Sequence, residues 1–149
     1  MQRRDFVALC TLVAGLPAVA ARPALADEDE AAAAIKTLTR GEAPREGRVR
    51  VQIPVLADNG NSVPVRITVD SSMTAAEHVK AIHLVSDRNP EAVMATFVLS
   101  PDNGRAQISS RLRLAGSQRI TAIAEISDGS FWRGSAAVVV TLSACVDGS

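Results

Sequence analysis

The chain has 149 residues, enough for one ordinary domain and too few for two. Sixteen basic and sixteen acidic residues balance to a formal net charge of +0, so nothing points to a polyanion such as nucleic acid as partner. Aromatics make up only 3% while valine, isoleucine, leucine and alanine abound, and a core of small branched side chains suits a β-sandwich.

In chain order, the first line reads as an export signal. Arg3 and Arg4 precede an apolar stretch from Phe6 to about Ala21, and the small-residue "ALA" then meets an acidic run. The stretch is short for a membrane span and Pro17 interrupts it. Cleavage after Ala26 is expected, with the mature chain starting at Asp27 in the periplasm and no membrane anchor. The pair Arg3–Arg4 followed by Asp5, Phe6 and Val7 has the look of a twin-arginine signal, and an ordinary secretory signal is the rival reading. Loss of residues 1–26 removes three arginines and one aspartate, taking the net charge to −2. It also removes Cys10, which leaves Cys145 as the single mature cysteine.

The segment "DEDEAAAAIKTLTRG" carries acids at its start, bases at its end and a closing glycine, which predicts one short helix. "EAPREG" follows as a linker, so residues 27–47 form a helix-and-linker unit. From residue 48 the apolar period becomes two. "RVRVQIPV" and "VPVRITVD" read as strands around "ADNGNS" as a turn, compatible with a hairpin or with strands in different sheets. "HVKAIHLVSD", "AVMATFVLS", "RAQISSRLRLA", "QRITAIAEIS" and "FWRGSAAVVVTL" are further strands, with "RNP", "PDNG" and "DGS" as turns. The expectation is an all-β fold: an antiparallel β-sandwich over residues 48–142, with the short N-terminal helix before it. A flexible C-terminal tail, residues 143–149, completes it.

Most chemical constellations fail on inspection. His78 and His83 are five apart, face opposite sides of a strand and lack thiol partners, so they are read as surface residues with no metal. Gly60, Gly104 and Gly129 each stand alone in a turn, without the spacing of a phosphate cradle. No serine has a histidine arranged beside it as a catalytic pair requires. Asp87 and Glu91 flank a turn as solvated charge. Arg111 and Arg113 share one strand face, either wetted sheet or a surface for anions or a partner. Trp132 is read as packing.

Cys145 remains. A thiolate is a nucleophile, and a sulfur on a tail of small residues reaches beyond the sandwich surface into slots that a bulky loop cannot enter. That suits a covalent carrier; an accidental free cysteine and an intermolecular disulfide are the plainer alternatives. The chain itself is not expected to be an enzyme, and no cofactor is implied.

The phrases "LADNGNSVPVRITVDSSMT", "HVKAIHLVSDRNP", "ISSRLRLAGSQ", "AEISDGSFW" and "VTLSACVDGS" occur together in one order. On them the chain resembles SoxY, the sulfur-carrier subunit of the periplasmic Sox thiosulfate-oxidising system. The resemblance implies that the sandwich is immunoglobulin-like and that it pairs with a SoxZ-like small β-sandwich subunit as a heterodimer. It further implies a c-type cytochrome that joins thiosulfate oxidatively to Cys145, a metal-dependent hydrolase that releases sulfate, and a sulfur dehydrogenase. The tail departs from the family pattern of glycine pairs on both sides of the cysteine. Ser143 and Ala144 precede it, and Val146, Asp147, Gly148 and Ser149 follow. Val146 adds β-branched bulk, and Asp147 places a negative charge where it disfavours thiolate. A divergent paralogue acting as a non-carrier binding or assembly subunit is the alternative.

Overall fold

The computed structural model describes residues 27–143. Helix α1 runs from Glu28 to Leu38, with Asp27 as its N-cap, where the carboxylate accepts from the Glu30 backbone N–H at 2.9 Å. Glu28, Asp29 and Glu30 place negative charge at the positive end of the helix dipole. Arg40 (φ 54°) and Gly41 (φ 87°) turn the chain through the left-handed region, and the Gly41 N–H closes the helix on the Lys36 carbonyl at 2.8 Å. Arg40 is not a glycine, so this conformation costs about 1 kcal/mol. An ion pair to Glu125 at 2.7 Å and stacking over the Phe131 ring at 5.5 Å offset the cost.

Nine strands follow: β1 (Arg45–Glu46), β2 (Val49–Gln52), β3 (Leu56–Asn59), β4 (Val63–Val69), β5 (Val79–Ser86), β6 (Val93–Val98), β7 (Gln107–Leu112), β8 (Gln118–Ile126) and β9 (Phe131–Leu142). They form two sheets. The smaller is antiparallel in the order β2-β4-β7, and the larger runs β1-β9-β8-β5-β6 with β3 also on β9. The sandwich is thus the expected one, with a correction: β1 and β3 both pair with β9 in parallel. The predicted linker contains β1, and the predicted "ADNGNS" turn contains most of β3. Strands β2 and β4 are neighbours but not a hairpin, because the chain leaves for the larger sheet between them. Pro54 lacks an amide hydrogen for the ladder, which fits β2 ending at Gln52 rather than running on to Val55.

The first four strands alternate between the sheets, so the chain repeatedly crosses the edge of β9. The tightest crossing is at Gly134, where a Cβ would sit 2.3 Å from the carbonyl oxygen of Val49 in β2. Only a residue without a side chain lets the two backbones approach so closely.

The core lies between the sheets. Val63, Val65, Ile67 and Val69 alternate inward from β4 and meet Ile82 and Leu84 of β5, Ile120, Ala122, Ala124 and Ile126 of β8, and Val138 and Val140 of β9. Each fully buried branched side chain contributes about 1.5–3 kcal/mol relative to exposure. Strand β5 is buried on both faces, since α1 packs over its outer side. Val85, Ile123 and Phe131 are also buried, outside the inter-sheet core cluster.

Candidate functional site

The expected attachment residue, Cys145, lies outside the described residues, as do the export signal and all of the expected tail after Ser143. What is described is the root from which the tail leaves the scaffold. Val138 and Val140 turn into the core and fix the rotation of β9. Strand β3 lies alongside, with Leu56 opposite Val139 and Asn59 opposite Leu142. The Val139 N–H donates to the Val55 carbonyl at 2.8 Å, and the Gly60 N–H donates to the Leu142 carbonyl at 2.7 Å. The Thr141 hydroxyl donates to the Asp58 carbonyl at 2.6 Å, and the Val140 N–H donates to Ser117 Oγ at 2.9 Å. Backbone order therefore extends to Leu142. Three residues further on, Cys145 has a reach of at most about 11 Å from that anchor. Around the root, Val55, Leu56, Val139 and Leu142 are 79%, 58%, 51% and 65% exposed, an apolar collar facing solvent.

The other sequence candidates are dispersed. His78 is half-buried with Nδ1 3.1 Å from the Thr74 carbonyl oxygen. His83 corrects the surface reading: it is buried on the outer face of β5, with Nδ1 2.9 Å from Thr96 Oγ1. Burial pushes its pKa down and outweighs the opposing attraction of Glu125. Among the described residues, no group of three or more His, Cys, Asp or Glu side chains is placed to hold a metal. Asp87 accepts the Arg119 N–H at 3.0 Å and is a structural acceptor. Arg111 and Arg113 are exposed, and Leu112 and Leu114 are buried, as the alternation requires.

Trp132 packs partly against the core, and its indole N–H donates to Ser130 Oγ at 3.1 Å. The guanidinium groups of Arg45 and Arg48 lie 5.6 and 5.3 Å from its ring centroid, a cation cage that periodicity could not reveal. Nearby, Glu77 accepts from the Ser72 N–H at 3.0 Å, from the Ser71 and Ser72 hydroxyls, and from Arg48 at 2.5 Å. The Ser72 amide is the largest influence holding its carboxyl at about 2, with the hydroxyls and Arg48 adding to it against a smaller opposing effect of burial. On the outer face of β8, burial pushes the Glu125 carboxyl up. Hydrogen bonds and charge from Arg40 and Lys80 outweigh this and hold it below its ordinary value. Both acids are clamps for loops at the start of β9, the far end from Leu142.

Comparison with known proteins gives three results. The family model for sulfur oxidation protein SoxY matches residues 35–145. Comparison with curated proteins found no match. Among solved structures, the sulfur carrier protein SoxY from Chlorobium limicola f thiosulfatophilum is similar at 23% identity. It covers 74% of this chain and 96% of that one, with a TM-score of 0.61. A superoxide reductase (neelaredoxin) from Ignicoccus hospitalis is similar at 15% identity over 78% and 94%, with a TM-score of 0.55. A putative superoxide reductase from Thermotoga maritima is similar at 14% over 66% and 87%, with a TM-score of 0.51. At these identities the structural likeness bears on the fold alone. The family match spans most of the chain, from within α1 to position 145, and on that ground the chain belongs to the SoxY family of sulfur oxidation proteins.

Proposed function

We propose that the chain is a covalent carrier of sulfur intermediates in thiosulfate oxidation, exported to the periplasm, with substrate attached to Cys145. The observation that carries this reading is the extent of the family match, whose last residue is Cys145 itself. The root geometry supports it, since β9 is anchored to Leu142 and the cysteine follows three residues later. No helix among the described residues is long and apolar enough to cross a membrane.

The chemistry asks little of this chain beyond a presented thiolate. Oxidative loading joins the Cys145 sulfur to the sulfane sulfur of thiosulfate. A new S–S bond forms, and two electrons pass to a c-type haem enzyme. Hydrolysis of the resulting S–SO3⁻ group consumes one water and releases sulfate and two protons, leaving a persulfide on Cys145. A sulfur dehydrogenase then takes six electrons from the outer persulfide sulfur, with three waters supplying oxygen and six protons released, which leaves a further –SO3⁻ group on the Cys145 sulfur for hydrolysis. A SoxZ-like subunit is the expected structural partner, and the apolar collar of Val55, Leu56, Val139 and Leu142 is the surface that an enzyme meets as it takes in the arm.

Intact-mass analysis of the protein from cells growing on thiosulfate tests the reading. Reducible adducts on the Cys145 peptide are expected, together with their loss in Cys145→Ser and failure of that strain to oxidise thiosulfate through this protein. Bare thiol throughout, or full oxidation by Cys145→Ser, refutes carriage and leaves the non-carrier assembly role suggested by the altered tail.

A further inference from the structure

The outer face of the smaller sheet has a charge pattern that the carrier reading does not use. Strands β2, β4 and β7 read VRVQ, VPVRITV and QISSRL, three arginines and no acid. Register places Arg66 opposite Ser109 and Pro64 opposite Arg111, so Arg66 and Arg111 are diagonal neighbours across adjacent strands. Both alternate outward, away from the buried Val65 and Leu112. Arg50 on the same face has Asp70 at 3.4 Å. Arg66 and Arg111 have no carboxylate partner among the described residues. Arg66 Nε reaches only Ser109 Oγ at 3.4 Å, and an Arg111 terminal nitrogen reaches the Ser62 hydroxyl at 3.0 Å and carbonyl at 3.3 Å.

These two side chains wall an open groove of about 730 Å³ where β2 peels away from β4. Ile53, Pro54 and Pro64 give it an apolar side, and Gln52, Ser109 and Ser110 add neutral hydrogen-bonding groups. Both guanidiniums line the groove with only neutral oxygens as their hydrogen-bond partners among the described residues, and an oxyanion with several acceptor oxygens accepts planar N–H pairs better than a hydroxyl does. The groove also adjoins the root of the arm. Ser62, which Arg111 holds, is two residues from Gly60, which holds Leu142, and Pro54 precedes Val55, which holds Val139. A sulfur-linked cargo within about 11 Å of Leu142 is therefore in the groove's neighbourhood.

We infer that the Arg66–Arg111 groove is a binding site for a sulfonate-type oxyanion. The group is presented either as free thiosulfate or as the S–SO3⁻ end of cargo on Cys145. The second source rests on the carrier reading, and the first does not.

Nitrogen-15 spectra of the arginine side chains in the purified protein test this. Sodium thiosulfate is titrated against sodium chloride at matched ionic strength. A second sample is first loaded with tetrathionate: the thiolate attacks a central sulfur, forms Cys145–S–S–SO3⁻ and expels thiosulfate. The Arg66 and Arg111 Nε–H signals should shift saturably with thiosulfate and not with chloride. Arg66→Gln and Arg111→Gln should each weaken the response about tenfold. Signals already displaced in the loaded sample identify tethered cargo as the source; displacement by the free anion alone identifies solution. Shifts that follow ionic strength regardless of the anion overturn the groove, even where intact mass confirms loading. A protein that refuses loading yet still binds thiosulfate overturns carriage and leaves the groove standing.

Discussion

Replacing Gly134 with alanine tests the crossing of β2 over β9. The added methyl carbon would stand 2.3 Å from the Val49 carbonyl oxygen and 2.9 Å from its carbon. Relief to an ordinary contact demands about 1 Å of backbone movement. That movement strains the pairing of Val49 with Val69 on one side or of Gly134 with Ala122 on the other. Overpacking typically costs about 1–3 kcal/mol, and a backbone obstacle cannot rotate aside, so a loss of about 3 kcal/mol is expected. In a domain of this size that corresponds to a fall in Tm of about 10–15 °C. Thermal unfolding followed by circular dichroism and by the fluorescence of Trp132, the single tryptophan, reads the effect. Gly104→Ala is the control. Its φ of 70° carries a penalty of about 1 kcal/mol for a side chain, yet nothing lies within 4 Å of the new methyl. If Gly134→Ala costs no more than Gly104→Ala, the two backbones are not pressed together and the derivation of the crossing is wrong.

Glu77 makes stability depend on acid. Its carboxyl ionises at about 2 when folded against about 4.5 when unfolded, so its contribution is complete above about pH 4.5 and disappears as pH falls through 2. Allowing for a side chain 32% exposed, the contribution is about 1–2 kcal/mol. Urea midpoints across that window should fall more steeply for the wild type than for Glu77→Gln; parallel curves would refute the assignment. Arg40→Ala removes the partner that holds the Glu125 carboxyl low, so carbon-13 titration should show that carboxyl ionising at higher pH than in the wild type. An unchanged titration would mean that Lys80 alone suffices.

The elements legible in the sequence are those that carry their own period. Strand β4 alternates residue by residue between buried and exposed, and α1 has its acidic start and left-handed exit written in residues 27–41. The short strands β1 and β3 were hidden because they exist only through the free backbone edge of β9. Two residues, or four drawn from an Asn-rich stretch, have no period of their own. His83 was misplaced because exposure on the outer face of β5 depends on whether a helix from elsewhere covers it. The site divides in the same way. Cys145 stands out by chemistry alone, whereas the Arg66–Arg111 pair emerges only once register sets residues 66 and 109 opposite one another.

The two parallel fragments beside β9 also decide how other molecules can approach. A bare twelve-residue rim would invite a foreign strand to add itself to the sheet. Glu46 closes the rim at Arg133, Val49 obstructs it at Gly134, and Leu56 onward closes it from Val139. Strand addition is thereby blocked at both ends of that border, next to the very place where the arm departs. On the carrier reading proposed above, an enzyme that handles Cys145 there must recognise side chains and shape rather than annex the backbone, which leaves it free to let go again.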